Sequence, residues 1–183
     1  VVRLVITREL KEKLKEELIR IGCLRFGEFV LSSGKRSNYY VDIKKASTNP
    51  SFLKVFAEAT KEVIVREKID FDKIACIELG GVPLAVSLLM KLEKPLLIFR
   101  KKRKDYGVTS DLIGEIESGE KFLVVEDVTT TGHSALSVVE RVRKSGGEVS
   151  GVVVVVDRME GAEEEMRKAG VKFVPLLTSE DLF

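Results

Sequence analysis

Two carboxylates stand side by side at Glu126 and Asp127, and three hydroxyls and a glycine follow at Thr129, Thr130, Thr131 and Gly132. Carboxylates accept hydrogen bonds from sugar hydroxyls and help to place a hard cation. Hydroxyls and successive backbone N–H groups bind a phosphate monoester, and a glycine lets the backbone come close to it. His133 and Ser134 continue the run into a helical pattern. The chemistry that suits this set is the holding of a phosphorylated sugar. A lone acidic pair at a strand end is commonly just solvated, but adjacent strand residues face opposite ways, so two carboxylates at the rim of a buried strand exceed what solubility requires.

These residues need a strand before them and a helix after them. The strand is expected over 121–126, where Phe122-Leu123-Val124-Val125 is apolar, and the helix over 134–145, closed by Gly146-Gly147. Ligands in open α/β sheets sit beyond the carboxyl ends of strands, and the free N–H groups of a helix N-terminus attract anions. The flanking chain alternates in the same way. Strands are expected over 73–77, 96–99, 149–156 and 172–176, and helices over 84–92 and 163–169, with a turn at Gly80-Gly81-Val82-Pro83. Near-continuous apolar strands separated by helices signal a mainly parallel central sheet covered by helices on both faces, an α/β fold. Upstream, Leu10, Leu14, Leu18 and Ile21 recur at helical spacing, and Pro50 after Asn49 starts a longer core-facing helix over 50–67. Between these helices, strands over 26–31 and 39–43 flank the polar turn 32–38 and form a hairpin.

The segment 100–119 is polar and without periodicity, and loops this long are uncommon in compact domains unless they are functional or disordered. It begins Arg100-Lys101-Lys102-Arg103-Lys104-Asp105-Tyr106-Gly107. Such a cationic run is often a solvated face. Leaving the same sheet edge as the acidic pair, it is also placed to close over a polyanion.

Composition sets the remaining bounds. The 183 residues are 44% apolar and 33% charged with a net charge of +2, which suits one folded domain and argues against a disordered chain or a polycation. Cys23 and Cys76 lie far apart in apolar contexts and read as reduced core thiols. With no signal peptide, long apolar span or polybasic anchor in the sequence, the expectation is a soluble, cytoplasmic protein with no membrane or nucleic-acid partner.

The stretch Val124-Val125-Glu126-Asp127-Val128-Thr129-Thr130-Thr131-Gly132 resembles the phosphoribosyl-pyrophosphate signature of the type I phosphoribosyltransferases. Four further segments are similar to those of the orotate phosphoribosyltransferases in that family. Residues 26–42 resemble their substrate hairpin, Gly80-Gly81-Val82-Pro83-Leu84-Ala85 their pyrophosphate loop, residues 100–107 their catalytic flexible loop, and Val156-Asp157-Arg158 the strand end whose arginine faces the orotate ring. The match runs in order along essentially the whole chain.

The resemblance implies transfer of a phosphoribosyl group from phosphoribosyl pyrophosphate to orotate. It also implies Mg2+ held mainly by substrate and water, and a homodimer with shared active sites. It divides the single domain into a substrate-binding hood over 1–48 and a flexible catalytic loop over 100–119. Arg100, Lys101, Lys104 and Asp127 are the implied catalytic residues. Glu126, Asp127, Thr129, Thr130, Thr131, Gly132, His133, Ser134, Gly80, Gly81, Arg158, Lys35, Tyr39 and Tyr106 are the implied substrate contacts. His133 is assigned to the phosphate loop and not to general-base catalysis. Many members carry Lys where this chain has Ser32 and Gly80, and His where it has Tyr106, which does not titrate near neutrality. A purine or uracil transferase, or a non-catalytic regulator on the same fold, stays open as an alternative.

Overall fold

The computed structural model describes residues 6–30, 34–101 and 111–183. Ser32, Lys104 and Tyr106 of the expectations above lie outside these residues. The first described elements are α1 (Arg8–Arg20), the hairpin strands β1 (Leu24–Val30) and β2 (Arg36–Val41), and a short helix α2 (Ile43–Ala46). The Thr7 hydroxyl accepts the Leu10 N–H to cap α1, whose Leu14 and Leu18, one turn apart, are fully buried. Burying each of these leucines contributes about 1.5–3 kcal/mol. Gly22, at φ +73°, turns the chain out of the helix and into β1. Next comes α3 (Pro50–Arg66), where the Asn49 side chain accepts the Ser51 N–H and Pro50 occupies the first turn.

The main sheet follows as β3 (Lys73–Ile77), α4 (Gly81–Leu92), β4 (Leu96–Phe99), β5 (Leu112–Ile113), β6 (Lys121–Thr129), α5 (His133–Lys144), β7 (Glu148–Asp157), α6 (Ala162–Lys168) and β8 (Phe173–Thr178). A 3-10 turn, Ser179–Leu182, comes after β8. The strand order is β5-β4-β3-β6-β7-β8, all parallel except β5, which runs antiparallel to β4. Alternation along β6 divides the core. Leu123 and Val125 pack with Phe52 and Phe56 of α3 and with Leu84 and Leu88 of α4. Phe122 and Val124 pack on the other face with Val138, Val139 and Val142 of α5 and with Met166 of α6. Connections from β3 run outward through α4 on one face, and those from β6 run the opposite way through α5 on the other. The direction of winding therefore switches between the parallel strands β3 and β6, and a crevice opens beyond their carboxyl ends.

Four expectations are corrected. Ile43 is not the end of a strand, because the Asp42 side chain accepts the Lys45 N–H and starts α2 there. The segment 100–119 is not wholly irregular, since Leu112–Ile113 pairs with the edge of β4. The strand expected to stop at Glu126 continues to Thr129, because β7 pairs with it along its whole length. Helix α4 begins at Gly81 and not at residue 84, with Pro83 tolerated in its first turn. Cys23 and Cys76 are buried and free, as expected.

Candidate functional site

The acidic pair leaves β6 at the switch between β3 and β6, with one carboxylate turned to each side of the sheet. Asp127 faces the β3–α4 turn and α2. Its Oδ1 accepts the Val128 N–H at 2.9 Å, and its Oδ2 accepts Lys44 Nζ at 3.0 Å. That hydrogen bond holds the Lys44 ammonium above its ordinary range. Lys44 was not among the residues picked from the sequence, where nothing separated it from its lysine neighbour.

Glycine at position 80 leaves room for the same carboxylate. A Cβ there would stand 2.1 Å from Asp127 Oδ2, well inside contact distance. Gly81, one residue on, is buried, and a Cβ on it would press 2.9 Å from the Val125 carbonyl oxygen. The two glycines thus let the β3–α4 turn lie flat against β6.

Glu126 is turned toward α5 and is 4% exposed. Its Oε1 accepts the Asp127 N–H at 3.0 Å, while its Oε2 is buried with no hydrogen-bond partner among the described residues. Burial first, and then the neighbouring Asp127, push its carboxyl up to about 8. The Cys76 thiol behind it is pushed up to about 12, again by burial before the Glu126 charge. Burial and the neighbouring carboxylate thus favour the protonated form of Glu126 at neutral pH.

Beyond the pair, Gly132 at φ +80° turns the chain into α5, a left-handed conformation that suits glycine. No side chain caps α5, so its first N–H groups face the cleft free to meet an anion. Glu126, Asp127, Thr130, Thr131 and Ser134 line one cavity of about 520 Å³, with Gly80 and Lys101 across from them. His133 is an exposed member of the same wall. Thr129 is different. It is buried, and its hydroxyl donates to Asp157 Oδ1 at 2.9 Å, so its side chain ties β6 to β7.

A second cavity of about 780 Å³ adjoins the first at Asp127, Val128, Thr130 and Thr131 and extends to the hairpin. Lys35, Tyr40, Arg158 and Glu160 form its far wall. The Arg158 side chain is 9% exposed, and its guanidinium lies 4.5 Å from the centre of the Tyr39 ring and donates to Ser37 Oγ at 3.3 Å. Tyr39, expected to meet substrate, is buried behind that arginine with its ring edge-on to Phe183 at 5.4 Å. Tyr40 is the tyrosine that borders the cavity.

The cationic segment enters the site through its described ends. The Arg100 N–H donates to the Asp111 carbonyl at 2.7 Å, and the Lys101 N–H donates to Glu78 Oε1 at 2.8 Å. Arg141 of α5 stacks 4.4 Å over Phe99 and donates to the carbonyls of Arg100 and Asp111, each at 2.9 Å, and to Asp111 Oδ2 at 2.8 Å. The two ends of the segment are thereby fastened to the helix whose N-terminus faces the cleft. Among the described residues there is no cluster of His, Cys, Asp and Glu able to cage a metal, and no helix long and apolar enough to cross a membrane.

Residues 43–178 match the family described as "Phosphoribosyl transferase domain". The chain is 51% identical over 172 residues to the orotate phosphoribosyltransferase of Methanocaldococcus jannaschii, covering 94% of this chain and 96% of that one. It is 50% identical to that of Archaeoglobus fulgidus, covering 94% and 92%. Among solved structures, the orotate phosphoribosyltransferase of Aeropyrum pernix superposes with a TM-score of 0.82 at 34% identity, covering 92% of this chain and 95% of that one. The Mycobacterium tuberculosis enzyme in complex with 5-phospho-alpha-D-ribosyl 1-diphosphate gives 0.78 at 31% identity, covering 94% and 98%.

Proposed function

Because the chain belongs to the orotate phosphoribosyltransferases of the type I phosphoribosyltransferase family, we propose that its two adjoining cavities divide the work of that reaction, one taking the sugar diphosphate and the other the base. The protein transfers the 5-phosphoribosyl group from phosphoribosyl pyrophosphate to orotate, giving orotidine 5'-monophosphate and pyrophosphate, a step of pyrimidine biosynthesis. The purine, uracil and non-catalytic readings give way to half identity with orotate enzymes over nearly the full chain.

The 5-phosphate sits in the loop 129–134, against the free N–H groups of α5 and the hydroxyls of Thr130 and Thr131. Asp127 accepts hydrogen bonds from the ribose hydroxyls. Glu126 presents to the sugar a buried oxygen, Oε2, that has no hydrogen-bond partner among the described residues, and this atom is the observation that most directly supports the reading. Pyrophosphate lies between the Gly80 turn and Lys101, with Arg100 at the base of the cationic segment. Lys104 belongs to the same group of cations by its place in the sequence. Orotate lies on the hairpin side, where Arg158 and Lys35 supply positive charge to its carboxylate and carbonyl oxygens.

Breaking the bond from C1 to oxygen builds positive charge on the ribose and negative charge on pyrophosphate. Catalysis is then mostly positioning and charge stabilisation. Asp127, paired with Lys44, stands beside the sugar, while the cations face the leaving group. Mg2+ suits this site because a hard cation can be held by substrate oxygens and water, with the acidic pair at hand and no caging cluster of acids among the described residues. When bound, it would neutralise pyrophosphate charge beside Asp127. The reading also includes a homodimer with shared sites, the hood and flexible-loop division expected from the sequence, and a cytoplasmic location.

The direct test follows pyrophosphate release with phosphoribosyl pyrophosphate and Mg2+, with and without orotate. Release that requires orotate is expected; release independent of base, or preferring uracil or a purine, overturns the assignment. Lys104→Ala is expected to lower kcat more than it raises KM. An unchanged kcat removes Lys104 from the leaving-group clamp.

A further inference from the structure

The base cavity already contains a carboxylate. Glu160 lies two residues beyond Arg158, and its side chain bridges two cations that come from different elements. Its Oε2 accepts Lys35 Nζ of the hairpin at 3.0 Å, and its Oε1 accepts Arg158 Nε at 3.2 Å. The other acidic groups bordering this cavity are engaged elsewhere, Asp42 with the Lys45 N–H and Asp127 with Lys44. Glu160 therefore neutralises the pair of charges that the preceding reading assigns to the substrate. The hydrogen bond from Lys35, ahead of that from Arg158, holds its carboxyl below the ordinary range, so it stays charged at neutral pH.

We propose that Glu160 is an internal competitor for the carboxylate of the pyrimidine substrate, a specificity residue that the base must displace to reach Lys35 and Arg158. This rests on the assignment of orotate to the hairpin-side cavity. Orotate carries one negative charge on two oxygens, as the glutamate side chain does, and can replace it oxygen for oxygen. Glu160 also borders a shallow groove lined by Thr131, His133, Leu136 and the exposed Glu164 and Glu165, along which the displaced side chain can turn out toward solvent. A pyrimidine without a carboxylate, such as uracil, cannot replace it. It meets a wall whose charges are already cancelled, and discrimination follows from the exchange as much as from contact.

The test is Glu160→Gln, which keeps the side chain's size and removes its charge. With the competitor gone, the KM for orotate and its Kd by calorimetry should fall roughly three- to tenfold, the worth of one or two partly exposed ion pairs, with kcat within about twofold. Inhibition by uracil should not change. Glu160→Asp should stay near wild type in this respect, and removing Lys35 in a Lys35→Met/Glu160→Gln double variant should cancel most of the gain. A KM for orotate that stays level or rises in a Glu160→Gln protein of unchanged Tm overturns the proposal and makes Glu160 an orienting partner of Arg158. Should Glu160→Gln not fold, Glu160→Ala gives the same reading. Failure of the wild type to use orotate would instead overturn the assignment of the cavity.

Discussion

Glu126 sits where a carboxyl group is easier to keep protonated than ionised, and this has a measurable sign. Its folded pKa of about 8 lies above the ordinary 4.5 of an exposed glutamate, so between those limits the folded chain holds a proton that the unfolded chain has lost. Stability from this group is complete below about pH 4.5 and falls as pH rises toward 8, by up to about 1.4 kcal/mol per pH unit. Denaturant titrations of the ligand-free protein across that range should show the decline, and Glu126→Gln should flatten it. An equal slope in the variant would place the titration elsewhere. Gly80 supports a different prediction at the same scale. Because a Cβ would reach within 2.1 Å of Asp127 Oδ2, Gly80→Ala must move either the carboxylate or the turn. A displacement near 1 Å at a reacting centre costs up to about a hundredfold in rate, and kcat/KM should fall toward that extent while Tm changes little.

Elements decide what these side chains can reach, and some elements are written more plainly than others. Strands β3 and β4 coincide with the apolar runs that mark them, and α3 shows its Asn-Pro start and its helical spacing. The Thr-rich loop and the acidic pair were legible because few folds need that combination. Helix α2 was not legible, since four residues carry no period, and with it went Lys44, which no local signal separates from Lys45. The two-residue β5 exists only because β4 offers an edge, and β6 runs on through its carboxylates because β7 continues beside it. Both are products of tertiary pairing that local propensity does not record. Glu160 was missed for a related reason: its partners, Lys35 and Arg158, meet only in the folded chain. No local signal marks Arg141 among the cations of its helix, yet it fastens residues 100 and 111 to α5. Arg141→Ala should cost about 1–3 kcal/mol in denaturant titration through the lost charged hydrogen bonds. It should also speed amide hydrogen exchange at Leu112 and Ile113. Exchange unchanged at those positions would show that the edge strand holds without the arginine.

At the scale of the whole molecule, the switch in winding between the parallel strands β3 and β6 puts the 129–134 loop, the Gly80 turn and Arg158 around one crevice, the parts that the proposed reading gives to sugar phosphate, pyrophosphate and base. The homodimer proposed above is tested by mixing two inactive variants, Lys104→Ala and Asp127→Asn. If one subunit's cationic segment serves its neighbour's acidic pair, the mixture should recover up to about a quarter of wild-type activity, the share of complete sites expected from random pairing. No recovery would mean that each site is complete within one chain. The hood has a further tie. Lys11 of α1 pairs with Asp181 at 2.9 Å, and Phe183 packs on Phe26 and Tyr39, the ring that backs Arg158. A ribosome makes the hood's helix and hairpin well before residues 181–183, which brace them. Through most of synthesis the sheet can assemble while the base-binding wall waits, with Phe26 and Tyr39 lacking their partner. Contacts so distant in sequence form late and slowly. The nascent chain can thus build the sheet and the 129–134 loop before the Phe183 brace behind Tyr39 and Arg158 is in place.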